Sequence, residues 1–168
     1  PAAVFLFAPD RKAERPVTHL RNFKGVLHVD GYAGFEQVAA RPDVTLAACW
    51  AHTRRKFYDV AQATGSPIAE EALRRIADLY AVEADVRGKA PAWRRRKMSA
   101  PRVENLRLWL ENQLAQVPAR STLADAIRYT LTRWKGLSRF LEDGRVELDT
   151  NPVERAIRPV ALGRKNHL

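Results

Sequence analysis

Near its end the chain carries Asp149-Thr150-Asn151-Pro152-Val153-Glu154-Arg155-Ala156-Ile157-Arg158-Pro159, a run that sets carboxylates among guanidinium groups. Carboxylates hold hard divalent cations and guanidinium grips phosphate oxygens two at a time, so the combination suits chemistry on phosphate esters. Asn151 reads as an N-cap, Pro152 as the first helical residue and Glu154 as the third, which puts Glu154, Arg155 and Arg158 on the first turns of a helix. A purely structural role accounts for the same residues: Glu154 closes a capping box with Asn151 and pairs with Arg158 one turn on. A second carboxylate stands in Gly25-Val26-Leu27-His28-Val29-Asp30-Gly31-Tyr32-Ala33-Gly34-Phe35, where a short apolar run ends on Asp30. Such a run reads as a strand delivering Asp30 to its C-terminal end, where open sheets bind ligands. The plainer alternative is an Asp-Gly turn.

Cys49-x-x-His52 has the spacing of half a zinc site. The other half is absent: there is no second cysteine, and His19, His28 and His167 fall at no ligand spacing, so structural zinc is not expected. His52 is expected to open the helix after a strand, near the same sheet edge as Asp30. There it would reach a phosphate while Arg54, Arg55 and Lys56 bind DNA backbone; a capping histidine and a solvated basic turn are the alternative. Trp50 and Phe57 read as core.

The elements that must position these groups follow from periodicity. Val4-Phe5-Leu6-Phe7 reads as a buried strand, 8–16 as turn-rich, 18–22 as a short helix and 35–39 as a helical turn. Residues 44–49 read as a further strand running into a helix over 52–64. From Ser66 the pattern becomes helical: Ser66 caps, Pro67 opens, and Ala69, Leu73, Ile76 and Tyr80 recur at helical spacing. Val103, Leu106, Leu110, Leu114 and Val117 line a second helix, and Leu123, Ile127, Leu131 and Trp134 a third. Residues 87–101 read as a charged, proline-containing linker. The pattern is α/β at first and then all helical.

Three motifs in order resemble the bacterial insertion-sequence transposases of the sixty-six family: His28-Val29-Asp30-Gly31-Tyr32-Ala33-Gly34-Phe35, Cys49-Trp50-Ala51-His52-Thr53-Arg54-Arg55-Lys56-Phe57, and Asn151-Pro152-Val153-Glu154-Arg155-Ala156-Ile157-Arg158-Pro159. The likeness runs over nearly the whole chain. That family uses an Asp-Asp-Glu active site on a ribonuclease-H-like fold. The resemblance implies that Asp30 is the second catalytic aspartate and Glu154 the catalytic glutamate, while the first aspartate belongs upstream of residue 1. It implies a mixed α/β (α+β) fold with a partial ribonuclease-H-like core over 1–65, a helical insertion over 66–145, and a core helix over 146–168. It also implies a two-metal site of magnesium, with manganese as the alternative, held by Asp30 and Glu154. The implied partners are insertion-sequence ends and target DNA, and further copies of the chain in a synaptic complex. Asp149 competes with Glu154 for the last ligand role and is ranked as a supporting residue. The family usually has Asn where this chain has Thr150.

Composition agrees with a nucleic-acid partner. The 168 residues carry 29 Lys and Arg against 19 Asp and Glu, a formal charge of +10. Such a surface attracts polyanions and releases their counterions on binding. The basic clusters are Arg54-Arg55-Lys56, Arg94-Arg95-Arg96-Lys97, and Arg155, Arg158, Arg164 and Lys165. A single cysteine leaves no intrachain disulfide and fits a reducing cytoplasm. No apolar run is long enough to span a membrane. Beginning at Pro1 with its one methionine at Met98, the chain reads as a fragment. Two other classes stay open: a non-catalytic DNA-binding accessory module or decayed transposase remnant, and a metal nuclease that hydrolyses without strand transfer.

Overall fold

The structure, a computed structural model, describes residues 4–86 and 98–166, apart from the side chains of residues 86, 152, 160, 161 and 163–166. The elements run α1 (Glu14–His19), β1 (Gly25–Val29), a 3-10 turn (Ala33–Phe35), α2 (Glu36–Ala39), β2 (Val44–Ala48), α3 (Trp50–Thr64), α4 (Pro67–Val86), α5 (Ala100–Gln116), α6 (Thr122–Thr132), α7 (Trp134–Leu137), a 3-10 turn (Arg139–Leu141) and α8 (Asn151–Asn166). The fold is helix-rich and mixed, with a small parallel sheet.

β1 and β2 pair in parallel, with Gly25 opposite Val44 and Val29 opposite Ala48. Parallel neighbours cannot be joined by a tight hairpin. The 3-10 turn and α2 make the connection instead. Arg41 closes its far end, donating to the carbonyls of Leu20 and Phe23 and pairing with Asp43 at 3.1 Å.

Local chemistry explains the helix ends. Gly65 stops α3 in the left-handed region at φ 62°, its N–H returning to the Ala61 carbonyl. Ser66 Oγ then accepts from the Ala69 N–H and Pro67 opens α4, as the sequence predicts. Ser121 caps α6 the same way through Ala124. The expected apolar stripes pack together: Ala69 and Ile76 of α4, Leu106 and Leu110 of α5 and Ile127 of α6 join Trp50 and Phe57 of α3 in one core, to which α4 adds Leu79. Each Leu, Ile or Phe among them contributes roughly 1.5–3 kcal/mol on burial. α3 packs on α4 and α6, and α5 on both of those.

The sheet reaches this core through its end. Trp50, fully buried, donates its indole N–H to the Leu137 carbonyl at 2.9 Å and meets Trp134 edge-on at 5.8 Å. Gly136 of α7 lies so close to β2 that an added Cβ would stand 3.1 Å from the Ala48 Cβ.

Four local expectations change, the first being that α3 opens at Trp50, directly after Cys49, rather than at His52. Residues 4–7 form no strand, and their side chains lie exposed, Phe7 at 93%. An apolar run becomes a strand only against an edge that takes its N–H and C=O groups, and among the described residues it meets none. The first helix begins at Glu14 rather than near Thr18, because Pro16 sits in its first turn, where its missing N–H would have no intrahelical partner. The last helix starts one residue early: Thr150 is its cap, accepting from the N–H groups of Val153 and Glu154, so Asn151 is the first helical residue. Most of the linker, including Arg94-Arg95-Arg96-Lys97, lies outside the described residues. Among the described residues no helix is long and apolar enough to cross a membrane.

Candidate active site

Both strands end at the same edge, and the chemistry-bearing residues gather there. The pair that follows Val29 and Ala48 in the parallel register is Asp30 and Cys49. Backbones so placed stand about 4.8 Å apart. Cys49 leads without a break into α3, which carries His52 on its first turn.

α8 is fastened to this edge by its cap. The Cys49 sulfur accepts hydrogen bonds from the Thr150 N–H and hydroxyl, both 3.3 Å, and the Trp50 N–H donates to the Leu148 carbonyl at 2.9 Å. The first turn of α8 therefore faces that of α3. Glu154 Oε1 lies 3.9 Å from His52 Nδ1 and 3.4 Å from the Thr150 hydroxyl. Cys49 Sγ, a His52 ring nitrogen and a Glu154 oxygen all fall within 4.8 Å of one another. The expected capping box of Asn151 with Glu154 is replaced by this arrangement. Asp149 takes the Asn151 N–H and side-chain amide, and its carboxylate acts on two half-buried rings. Burial, then Asp149, raises the Tyr80 hydroxyl above its ordinary range. Burial lowers His28, against the Ala48 carbonyl and the Asp149 and Glu147 carboxylates, which favour its charged form.

Asp30 is exposed just beyond β1, and Oδ1 accepts the Tyr32 N–H at 3.0 Å. The turn reading and the strand-end reading are thus both realised. Gly31 takes φ 91°, and an added Cβ would stand 2.6 Å from the Tyr129 hydroxyl. Tyr129 is central on this side. The Arg133 guanidinium lies 3.9 Å from its ring centre and the Lys56 ammonium 5.4 Å. Burial raises its hydroxyl and Arg133 opposes this, with Asp30 and Cys49 adding to the rise. A cleft of about 490 Å³ continues from Gly31 and Tyr32 past Arg133, Lys135 and Arg139.

The structure thus brings His52 and Glu154 together and places Asp30 at the same sheet edge, outside their cluster of ligand atoms. Arg54, Arg55 and Lys56 diverge, because successive helical residues point about 100° apart. Arg54 lines a cleft with Tyr80 and Asn151, Arg55 pairs with Asp59 at 2.7 Å, and Lys56 covers Tyr129. Arg155 and Arg158 are exposed on α8. Sequence reasoning missed Tyr129 and Tyr80, which sit inside helices read as packing surface, and Arg133, which lies between α6 and α7. Their own polarity at the ends of apolar stripes was the available clue.

Exposed carboxylates such as Asp30 and Glu154 fit magnesium, which takes oxygen donors and keeps several waters. The thiol and imidazole beside Glu154 are softer donors that do not favour it.

A family model described as transposase, IS66 family, matches residues 1–168. Among curated proteins, the uncharacterized protein y4qI of Sinorhizobium fredii (strain NBRC 101917 / NGR234) is 41% identical over 179 residues, covering 100% of this chain and 33% of that protein. The uncharacterized protein y4jD of the same strain is 40% identical over 177 residues, covering 100% of this chain and 35% of that protein. The chain therefore spans about a third of the length of these relatives. No solved structure matches it. With its whole length matched, including the strand that leads to Asp30 and the helix that carries Glu154, the chain belongs to the IS66 family of transposases.

Proposed function

We propose that this chain is part of the catalytic domain of a DNA transposase that cuts and joins insertion-sequence ends by divalent-metal-dependent phosphoryl transfer. The observation that carries the reading is the fastening of α8 to the strand ends through Cys49 and Thr150, which holds Glu154 at the edge where Asp30 emerges. On this reading residues 1–65 and 146–168 belong to a ribonuclease-H-like core and 66–145 are an insertion in it.

Asp30 and Glu154 would hold magnesium, or manganese in its place. Bound in a pair, such ions ready an attacking hydroxyl and steady the leaving oxygen of an in-line displacement. The chain's own residues do the rest. Thr150 keeps Glu154 at the strand ends, and His52 flanks its carboxylate and faces incoming phosphate. Arg155 and Arg158, exposed on the same helix, clamp DNA phosphates. Arg54, Arg55 and Lys56 extend the cationic surface along α3, and steering by net positive charge brings DNA to it. Several copies would assemble on paired ends, in the cytoplasm where the DNA lies.

The test uses the protein expressed from its complete reading frame, with labelled insertion-end DNA and magnesium or manganese. Cleavage and joining are expected, and Asp30→Asn or Glu154→Gln should each reduce them on the order of a hundredfold or more. DNA binding without cleavage by the unaltered protein would move it to the non-catalytic accessory class. Cleavage without joining would make it a nuclease.

A further inference from the structure

We propose that Cys49, His52 and Glu154 form a binding site for a borderline-soft divalent cation, Zn²⁺ being the natural occupant, distinct in its donors from an all-oxygen magnesium site. Zinc takes cysteine sulfur, histidine nitrogen and carboxylate oxygen in tetrahedral sites, often with three protein ligands and one open position. These three side chains supply one donor of each kind, all within 4.8 Å of one another.

The spacing suits an ion better than direct contact. Ligand bonds of about 2.0–2.3 Å at tetrahedral angles place donor atoms roughly 3.3–3.8 Å apart. His52 Nδ1 and Glu154 Oε1 stand 3.9 Å apart, too far for a hydrogen bond and close to that separation. His52 Nδ1 is itself buried without a hydrogen-bond partner. A buried ring nitrogen with nothing to bond is costly unless something else fills the space. The sulfur is also prepared. Cys49 is 3% exposed, and Thr150 donates to it twice, the kind of outer support that fixes metal ligands. Two of the donors sit one helical turn apart at a strand–helix junction, and the third is clipped to it by Thr150.

The inference shares Glu154 with the magnesium reading but does not rest on it, since Asp30 takes no part. Zinc bound here would occupy Glu154 and so compete with magnesium for that carboxylate.

Cobalt(II) reports such a site spectroscopically. Titrated into the full chain under reducing conditions, it should bind one equivalent, with a near-ultraviolet thiolate-to-cobalt band and intense visible bands of four-coordinate geometry, both abolished by added zinc. Cys49→Ser should remove the thiolate band. His52→Ala and Glu154→Gln should each weaken binding by at least about tenfold, the least that even outer-shell changes cost. Asp30→Asn should leave the cobalt spectrum unchanged, although the magnesium reading requires it to reduce cleavage on the order of a hundredfold or more, so the two ideas fail separately. Should Cys49→Ser not fold, Glu154→Gln decides, because that side chain is 53% exposed and its fold can be checked by circular dichroism. Absence of a thiolate band at saturating cobalt, or undiminished affinity in either His52→Ala or Glu154→Gln, would overturn the proposal.

Discussion

The sulfur of Cys49 accepts hydrogen bonds from both the N–H and the hydroxyl of Thr150, joining the end of β2 to the start of α8 across 101 residues of chain. The Trp50 N–H, donating to the Leu148 carbonyl at 2.9 Å, secures the same junction from the next residue. The Thr150 side chain is buried, so its hydroxyl has no water to fall back on.

Thr150→Val keeps the shape and removes the hydroxyl. It should lower stability by about 1 kcal/mol, the net worth of one ordinary hydrogen bond. In a chain of this size that corresponds to a fall of roughly 2–4 °C in Tm. An unchanged melting curve would show that the backbone N–H alone secures the junction.

Gly31→Ala tests the approach of the Asp30 turn to Tyr129. The substitution meets a φ of 91°, which side-chain-bearing residues rarely adopt, and a hydroxyl 2.6 Å from the new Cβ. A loss of roughly 1–3 kcal/mol is expected in denaturant unfolding. Because Tyr129 must move, its contact with Arg133 should break and its fluorescence change with it.

Exposure separates the cations offered to DNA. Arg155 and Arg158 are free of ion pairs among the described residues, whereas Arg55 is engaged by Asp59. Replacing both Arg155 and Arg158 by Gln should flatten the dependence of log affinity on log salt by about two units, and Arg55→Gln by less than about one. Equal effects would mean that the Arg55 pair opens on binding. Titrations of duplex DNA at several salt concentrations give the slopes.

Arg41 bonds to Asp43 and thereby holds the Asp43 carboxyl below its ordinary 3.8, with burial opposing. A folded-state pKa below the unfolded one means that the unfolded chain binds more protons in the interval between them. The contribution of Asp43 is therefore full above about pH 3.8 and is lost as pH falls through the folded value. Asp43→Asn should make unfolding less pH-dependent in that acid window while leaving the Arg41 bonds to Leu20 and Phe23 in place. Melting temperatures measured across the acid range check this; parallel profiles for the two proteins would count against it.

Much of the local structure was legible in the chain. The strand leading to Asp30, observed over Gly25–Val29, the strand expected over 44–49 and observed over Val44–Ala48, the Ser66–Pro67 helix start and the stripes through Ile76, Leu106 and Ile127 all follow from side-chain alternation, turn residues and capping, which act over a few neighbours. The motifs around Asp30, Cys49 and Glu154 likewise announced the family that the whole chain matches. Where the reading slipped, the missing information was non-local. The apolar run at residues 4–7 resembles a strand, yet no periodicity tells whether a partner edge will meet it.

The site shows the same division. Residue types and spacing offer Asp30, His52, Glu154 and the arginines as candidates one by one, because each motif is contiguous. Only tertiary structure could decide that Glu154 comes to Cys49 and His52, completing a donor set that the Cys49-x-x-His52 spacing left half-built, while the Asp30 carboxylate turns to its own Tyr32 N–H. The physical reason is that helices and strands are set by interactions within a few residues, whereas the meeting of α8 with the strand ends depends on packing and on two hydrogen bonds from Thr150 to a distant sulfur.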